Sequence, residues 1–260
     1  MIADLHNHTT LCHHAEGEPF QYVERAIEKG IKFFGFTDHA PMNFDPTYRM
    51  DFSEIDKYFG LIDEVAEKYR GKIEILKGFE VDYLPQYHDN RVLKSNVDYL
   101  IGSIHFLQGW GFDNPEFMGN YENVDIDELW KVYFSEMENM AKSGLFQIAG
   151  HLDLLKVFKF LPKKNRIGDL VQDTLKAIKK SEMAVEINAS GLRKPIAETY
   201  PSREILELVR DFNIPITTSS DAHSPTQVGM FKSEIDRLLK DIGFKEIAIF
   251  RNKQIELLQI

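Results

Sequence analysis

The stretch PFQYVERAIEKGIKFFGFTDHA, residues 19–40, contains one whole unit of the fold. Phe20, Val23, Ala26 and Ile27 recur at helical spacing, and Gly30 supplies the stop. An apolar run of strand length follows, Ile31–Thr37, and directly behind it stand Asp38 and His39. A helix that feeds a strand whose end delivers a carboxylate and an imidazole predicts an α/β protein with polar chemistry at its strand ends.

The same unit repeats along the chain. Amphipathic stretches lie at 53–71, 125–144, 167–182, 202–212 and 231–243, the last running into the apolar EIAIF, and RNKQIELL closes the chain. Between them are about seven strand candidates, ending near Leu5, Thr37, Phe79, Ile104, Gly150, Ile187 and Ser219. Strands alternating with helices predict a mostly parallel sheet. The strand ends carry a consistent set of side chains: His6 and His8, Asp38 and His39, Glu80, His105, His151 and Asp153, then Asp221 and His223. An open doubly wound sheet draws its site from one switch point, whereas a barrel draws on many strand ends. The expectation is therefore an α/β barrel of TIM type with about seven βα units, a single domain over 1–260, with a metal site at the C-terminal ends of the strands.

Composition narrows the function. A formal charge of −10 argues against non-specific binding of nucleic acid or anionic lipid. No apolar run nears the roughly 18 residues that span a membrane. The opening MIADLHNHTT lacks the layout of a signal peptide, and Cys12 is the only cysteine, so the expected location is the cytoplasm. No cysteine-protease signature surrounds Cys12, which reads as incidental.

Imidazole and carboxylate are common ligands of zinc, iron and manganese. His6 and His8 share one face of an extended chain, because the strand period is two, and Asp221 and His223 repeat that spacing. Glu80 ends an apolar run and would be costly to bury without a cationic partner. Asp38 and Asp153 adjoin His39 and His151; each is a candidate either for orienting a ring or for moving a proton. His13 and His14 both lie in the first loop, and only one need bind metal; His88, in PQYHDN, reads as a solvated loop residue. The pattern is that of a multinuclear metal hydrolase.

The ordered set HNH (6–8), TDHA (37–40), FE (79–80), SIH (103–105), GHLD (150–153) and SSDAH (219–223) resembles the polymerase-and-histidinol-phosphatase (PHP) superfamily. GSIHFLQGWGFDNPEF and VEINASGLRK are similar to its histidinol-phosphatase branch. The resemblance implies a distorted (β/α)7 TIM-like barrel and a cluster of two to three divalent ions. Position by position, it implies that His6, His8, Glu80 and Asp221 hold one ion, that Glu80 bridges to a second with His105 and His151, and that His14, His39 and His223 hold a third. It also implies hydrolysis of L-histidinol phosphate to L-histidinol and phosphate, a step of histidine biosynthesis; the alternative is a related phosphoesterase acting on other small phosphoesters or on nucleotide or oligonucleotide ends.

No G-x-S-x-G elbow and no Cys–His signature is present, so the simplest nucleophile is a hydroxide bridging the metals. The phosphate needs a protein cation, for which Arg193 and Lys194 are the first candidates and Arg49 a weaker one. Asp45, Tyr48, Trp110, Phe112 and Asp113, in the two long loops, are candidates for the amine and imidazole of the substrate.

Overall fold

The computed structural model describes residues 1–260. Seven parallel strands form one sheet in the order β1 (Ala3–Asp4), β2 (Phe33–Phe36), β3 (Glu74–Asp82), β4 (Tyr99–Ser103), β7 (Ile148–Ala149), β8 (Ala184–Asn188) and β9 (Ile216–Ser219). Two short strands, β5 (Phe106–Leu107) and β6 (Trp110–Gly111), make a hairpin in the loop after β4. The last strand returns to the first: Leu5 N–H donates to Thr218 O at 3.0 Å, and Asn7 forms a parallel bridge with Ala222. The sheet is thus a nearly closed parallel barrel, as expected.

Helices cover the outside. In α1 (Pro19–Glu28) the side chains of Glu18 and Gln21 cap the first turn reciprocally, Pro19 opens the helix, and Gly30 ends it at a φ of 72°. The others are α2 (Ile55–Lys68), α3 (Asn90–Leu93), α4 (Ile126–Lys142), α5 (Ile167–Leu170), α6 (Gln172–Lys180), α7 (Arg203–Asp211) and α8 (Lys232–Ile242). Their apolar stripes, for example Leu129, Trp130, Tyr133, Phe134 and Met137 of α4, join the barrel strands in one continuous core. None is long and apolar enough to cross a membrane.

EIAIF and the chain-closing RNKQIELL form an antiparallel hairpin, β10 (Glu246–Arg251) and β11 (Gln254–Gln259), outside the barrel order. It seals the N-terminal mouth. Arg251 bonds Glu74 at the start of β3, Lys253 N–H donates to Asp98 O just before β4, and Phe250 packs on Tyr99. The opposite, C-terminal mouth stays open.

One strand runs further than the sequence suggests. Instead of ending at Phe79, β3 keeps pairing with β4 through Glu80, Val81 and Asp82. Asp82 therefore emerges on the same face as Glu80, two residues on. Beyond β2, His39 bridges Glu80, and Ala40 N–H donates to Glu80 O at 2.8 Å, which turns the His39 side chain towards the Glu80 carboxylate.

Candidate metal centre

Glu80, almost wholly buried, is the hub of the open mouth. Its Oε1 lies 2.8 Å from His151 Nε2 and 3.5 Å from His105 Nε2, and accepts from Ser103 Oγ at 2.7 Å. Its Oε2 lies 2.9 Å from His39 Nδ1, 3.3 Å from His6 Nε2 and 3.8 Å from His8 Nε2. Asp221 Oδ1 completes the ring at 3.2 Å from His8 Nε2 and 3.9 Å from His6 Nε2. Asp221 sits in a left-handed turn after β9, with a φ of 49°. Its other oxygen accepts from Asn188 Nδ2 and Ser190 Oγ.

Ligand atoms gather into small groups, each within 4.8 Å: His6, His8 and Glu80; Glu80, His105 and His151; His8, His39 and His223. The first two share Glu80. The third differs from the expected His14, His39 and His223. His14 donates from Nδ1–H to Cys12 O at 2.8 Å and groups with His223 and Cys12, its ring 4.6 Å from that of His223 and 5.3 Å from that of His39, while His8 stacks on His223 at 4.0 Å. Cys12 is fully buried and adjoins this group and the His8–Asp38 pair, so its sulfur is closer to the cluster than its lone occurrence suggests. His13 lies outside, exposed, near Thr47 O, and His88 donates to Asp82 O.

Charge is unevenly distributed. Burial opposes ionisation of Glu80, but His6, His39, His105 and His151 more than offset it and hold its carboxyl well below the usual range. Asp221 is held low in the same way by His6, His8 and His223. Burial and neighbouring imidazoles push His14 and His223 down, and push His39 down to about 4 even against Glu80. Those rings are neutral near pH 7, the form that binds metal. Against burial, His105 is pushed up to about 10 by Asp82 and Glu80.

Two carboxylates not foreseen from the sequence orient the rings. Glu186, in the buried strand β8, accepts from His6 Nδ1–H at 2.7 Å, from His151 N–H and from Ser219 Oγ. Asp82 accepts from His105 Nδ1–H at 2.7 Å. An ionised carboxylate can only accept, so both rings carry a proton on Nδ1 and turn Nε2 towards Glu80. The signal was available: Glu186 sits in the apolar run AVEIN, as Glu80 does in its own.

The other predicted residues divide. Asp38 is buried, accepts from Thr9 and from His39 N–H, and lies 3.4 Å from His8 Nδ1. Asp153 does not reach the ring of His151. It faces Lys156 Nζ at 3.0 Å and accepts from Ser202 N–H, because the chain turns immediately after the short β7. Arg193 lines the cavity but spends two donors on Ser220 O and Asp221 O, both at 2.9 Å. Arg49 faces Asp82 at 2.9 Å. Asp45, Tyr48, Trp110, Asp113 and Lys194 line the same cavity of about 1070 Å³, whereas Phe112 is buried in the core beneath Tyr133.

Buried donors without partners test whether this set suits a cation. His6 Nε2, both nitrogens of His8 and His151 Nδ1 have no hydrogen-bond partner, and His6 Nε2 and His8 Nε2 face ionised carboxylates. Such atoms are costly to bury unless they bind something. Divalent metal fits the donor set. Residues 4–190 match the PHP domain model, and residues 201–242 match the PHP-associated model. A probable histidinol-phosphatase of Deinococcus radiodurans is 34% identical over 98% of each chain. Histidinol-phosphatase of Bacillus subtilis is 30% identical over 87% of this chain and 95% of its own. The crystal structure of histidinol phosphate phosphatase from Lactococcus lactis, complexed with zinc, L-histidinol and phosphate, superposes with a TM-score of 0.80 at 23% identity, covering 98% of each chain. With its barrel, its clustered imidazoles and a full-length relative at this identity, the chain belongs to the histidinol-phosphatase branch of the PHP superfamily.

Proposed function

We propose that the protein hydrolyses L-histidinol phosphate to L-histidinol and inorganic phosphate, using two to three divalent ions of zinc, iron or manganese. The observation that carries this reading is the shared carboxylate of Glu80 between two buried histidine groups, at the bottom of a cavity lined by cations and carboxylates together. Full-length relatives carrying that activity by name support the substrate.

His6, His8, Glu80 and Asp221 would hold one ion, Glu80, His105 and His151 a second, and His39 and His223 with His14 or His8 a third. When bound, the ions supply Lewis acidity and an activated water for attack on phosphorus. The chain's own part is orientation and charge. Glu186 and Asp82 fix the faces that His6 and His105 present. Asp38 ties the segment after His8, at Thr9, to the segment after β2 that carries His39. Lys194 and the uncommitted N–H groups of Arg193 meet the phosphoryl oxygens. Asp45 and Asp113, with Tyr48 and Trp110, receive the cationic, aromatic end of the substrate. Residues 1–260 act as one unit in this reading, since Asp221 and His223 come from the PHP-associated segment and the other ligands from the PHP domain. The lone buried Cys12 suits work in the cytoplasm.

Phosphate release from L-histidinol phosphate, p-nitrophenyl phosphate and a short single-stranded DNA, by protein with its metals counted, tests the proposal. A kcat/KM for histidinol phosphate well above the other two is expected. Equal or better turnover of either competitor would discard the histidine-pathway assignment and leave the metal site intact.

A further inference from the structure

Arg49 was a candidate for holding phosphate, yet its guanidinium is turned inward and almost wholly buried. It stands near the end of the loop that follows β2, and three of its donors are committed. Nε–H donates to Asp45 O at 2.8 Å, Nη1–H to Ala40 O at 3.2 Å, and Nη2–H to Asp82 Oδ2 at 2.9 Å. The first two bonds hold both limbs of residues 40–50, a loop whose Asp45, Thr47 and Tyr48 line the cavity and whose turn at Asp45 is left-handed, with a φ of 45°. The third bond leaves the loop and ends on the carboxylate that orients His105.

The order of contacts is continuous. His105 Nε2 faces Glu80, His105 Nδ1–H donates to Asp82 Oδ1, Asp82 Oδ2 accepts from Arg49, and Arg49 clasps the loop. A planar guanidinium with donors in a fixed fork can hold a carboxylate and two carbonyls at once; an ammonium on a flexible stem cannot span all three. We propose that Arg49 is a positioning residue that couples the substrate-facing loop, residues 40–50, to the metal group of Glu80, His105 and His151 by way of Asp82. A cation on His105 Nε2 fixes the ring, the ring fixes Asp82, and Asp82 fixes Arg49 and the loop. By reciprocity, an ordered loop tightens binding of that cation. The inference rests on the ligand assignment above and not on the identity of the substrate.

The test uses the full chain with zinc as the probe. Zinc affinity is measured by competition with a chromophoric chelator, and amide exchange of residues 40–50 is followed with zinc and with chelator. In the unaltered protein, zinc slows exchange in the loop. Arg49→Met should weaken one zinc by about 10- to 100-fold, the usual cost of losing an orienting partner of a ligand, and make loop exchange the same with and without zinc. Arg49→Lys separates the two effects. Its ammonium reaches Asp82 and restores most of the zinc affinity, but it cannot clasp both carbonyls, so the loop stays insensitive to zinc and KM rises more than kcat falls. Wild-type zinc affinity in Arg49→Met, or loop exchange that responds to zinc in Arg49→Lys as it does in the unaltered protein, would overturn the coupling. Should Arg49→Met fail to fold, the loop response of Arg49→Lys decides alone. Zinc affinity and loop exchange need no phosphoester, so failure to turn over histidinol phosphate would not be mistaken for failure of the coupling.

Discussion

The two oxygens of Glu80 serve different neighbours, Oε1 the His105–His151 side and Oε2 the His6–His39 side. Glu80→Gln keeps the shape but puts an NH₂ against one of those sides and removes the shared charge. It should nearly abolish turnover and lower metal affinity by more than the about 10- to 100-fold expected for an orienting residue alone. Full activity with unchanged metal content would rule out a shared carboxylate. Glu186→Gln should cost only the smaller amount, since it acts through His6. His39 makes a pH prediction for chelated protein. Its folded pKa, about 4, lies below the ordinary value of about 6.5, so between those values the unfolded chain binds the extra proton and stability falls as pH falls. The loss between pH 7 and pH 5 from this ring is about 2 kcal/mol. Urea unfolding at both pH values should show His39→Gln losing less stability than the parent by roughly that amount; an equal loss would mean that His39 is not held neutral. At this scale most of the cluster was legible in the sequence, because ligand-type side chains fell behind apolar runs. Asp82 was not, since nothing local tells that β3 continues past Glu80; its pairing with β4 decides that. Asp153 misled for the converse reason: adjacency to His151 in sequence says nothing of where a turn points the next side chain.

Among the elements, the connection after β8 shows how a backbone feature serves a charged side chain. The segment Ala189–Arg193 coils tightly back beneath the turn that follows β9. A Cβ on Gly191 would lie 2.1 Å from Glu198 O, so only glycine fits, and Asn188 and Ser190 are thereby set against Asp221. Arg193 closes the arrangement from below through the carbonyls of Ser220 and Asp221. Read from sequence, Arg193 is a candidate cation for the phosphate, and its removal should raise KM. The structure adds a second consequence: Arg193→Ala also frees the left-handed turn that presents Asp221. The variant should therefore bind less metal as well as show a higher KM, seen by counting metal in protein dialysed against a weak chelator. Normal metal content with a raised KM would assign the guanidinium to substrate alone. Helices were the more legible elements, because α1, α4 and α8 carry their stripe and stop within their own residues. Strands were less so. β1 and β7 hydrogen-bond regularly over two residues each, and their lengths follow from neighbours far away in the chain.

In the whole molecule, the barrel closes where its first and last strands, β1 and β9, meet, and the candidate metal centre lies across that seam. His6 and His8 follow the first strand; Asp221 and His223 follow the last. The protein's own contacts across the seam are buried but include no regular strand ladder. Leu5 N–H donates to Thr218 O, His8 N–H to Ala222 O, and Asp4 accepts from the backbone and hydroxyl of Ser220. By contrast, β3 and β4 pair over five residues on the far side of the barrel. Ions held from both sides of the seam would bind only the closed form and stabilise it by mass action, about 2.7 kcal/mol at a free concentration 100 times the dissociation constant. Chelation should then do more than lower the melting temperature. Amide exchange at residues 3–8 and 216–223 should accelerate well before that of β3 and β4, because local opening at the seam releases ligands without unfolding the rest. Equal acceleration everywhere would mean that the barrel opens only by global unfolding and that the ions stabilise it as one body. No acceleration at the seam would place the ions on one side of it, against a centre shared by His6, His8 and Asp221.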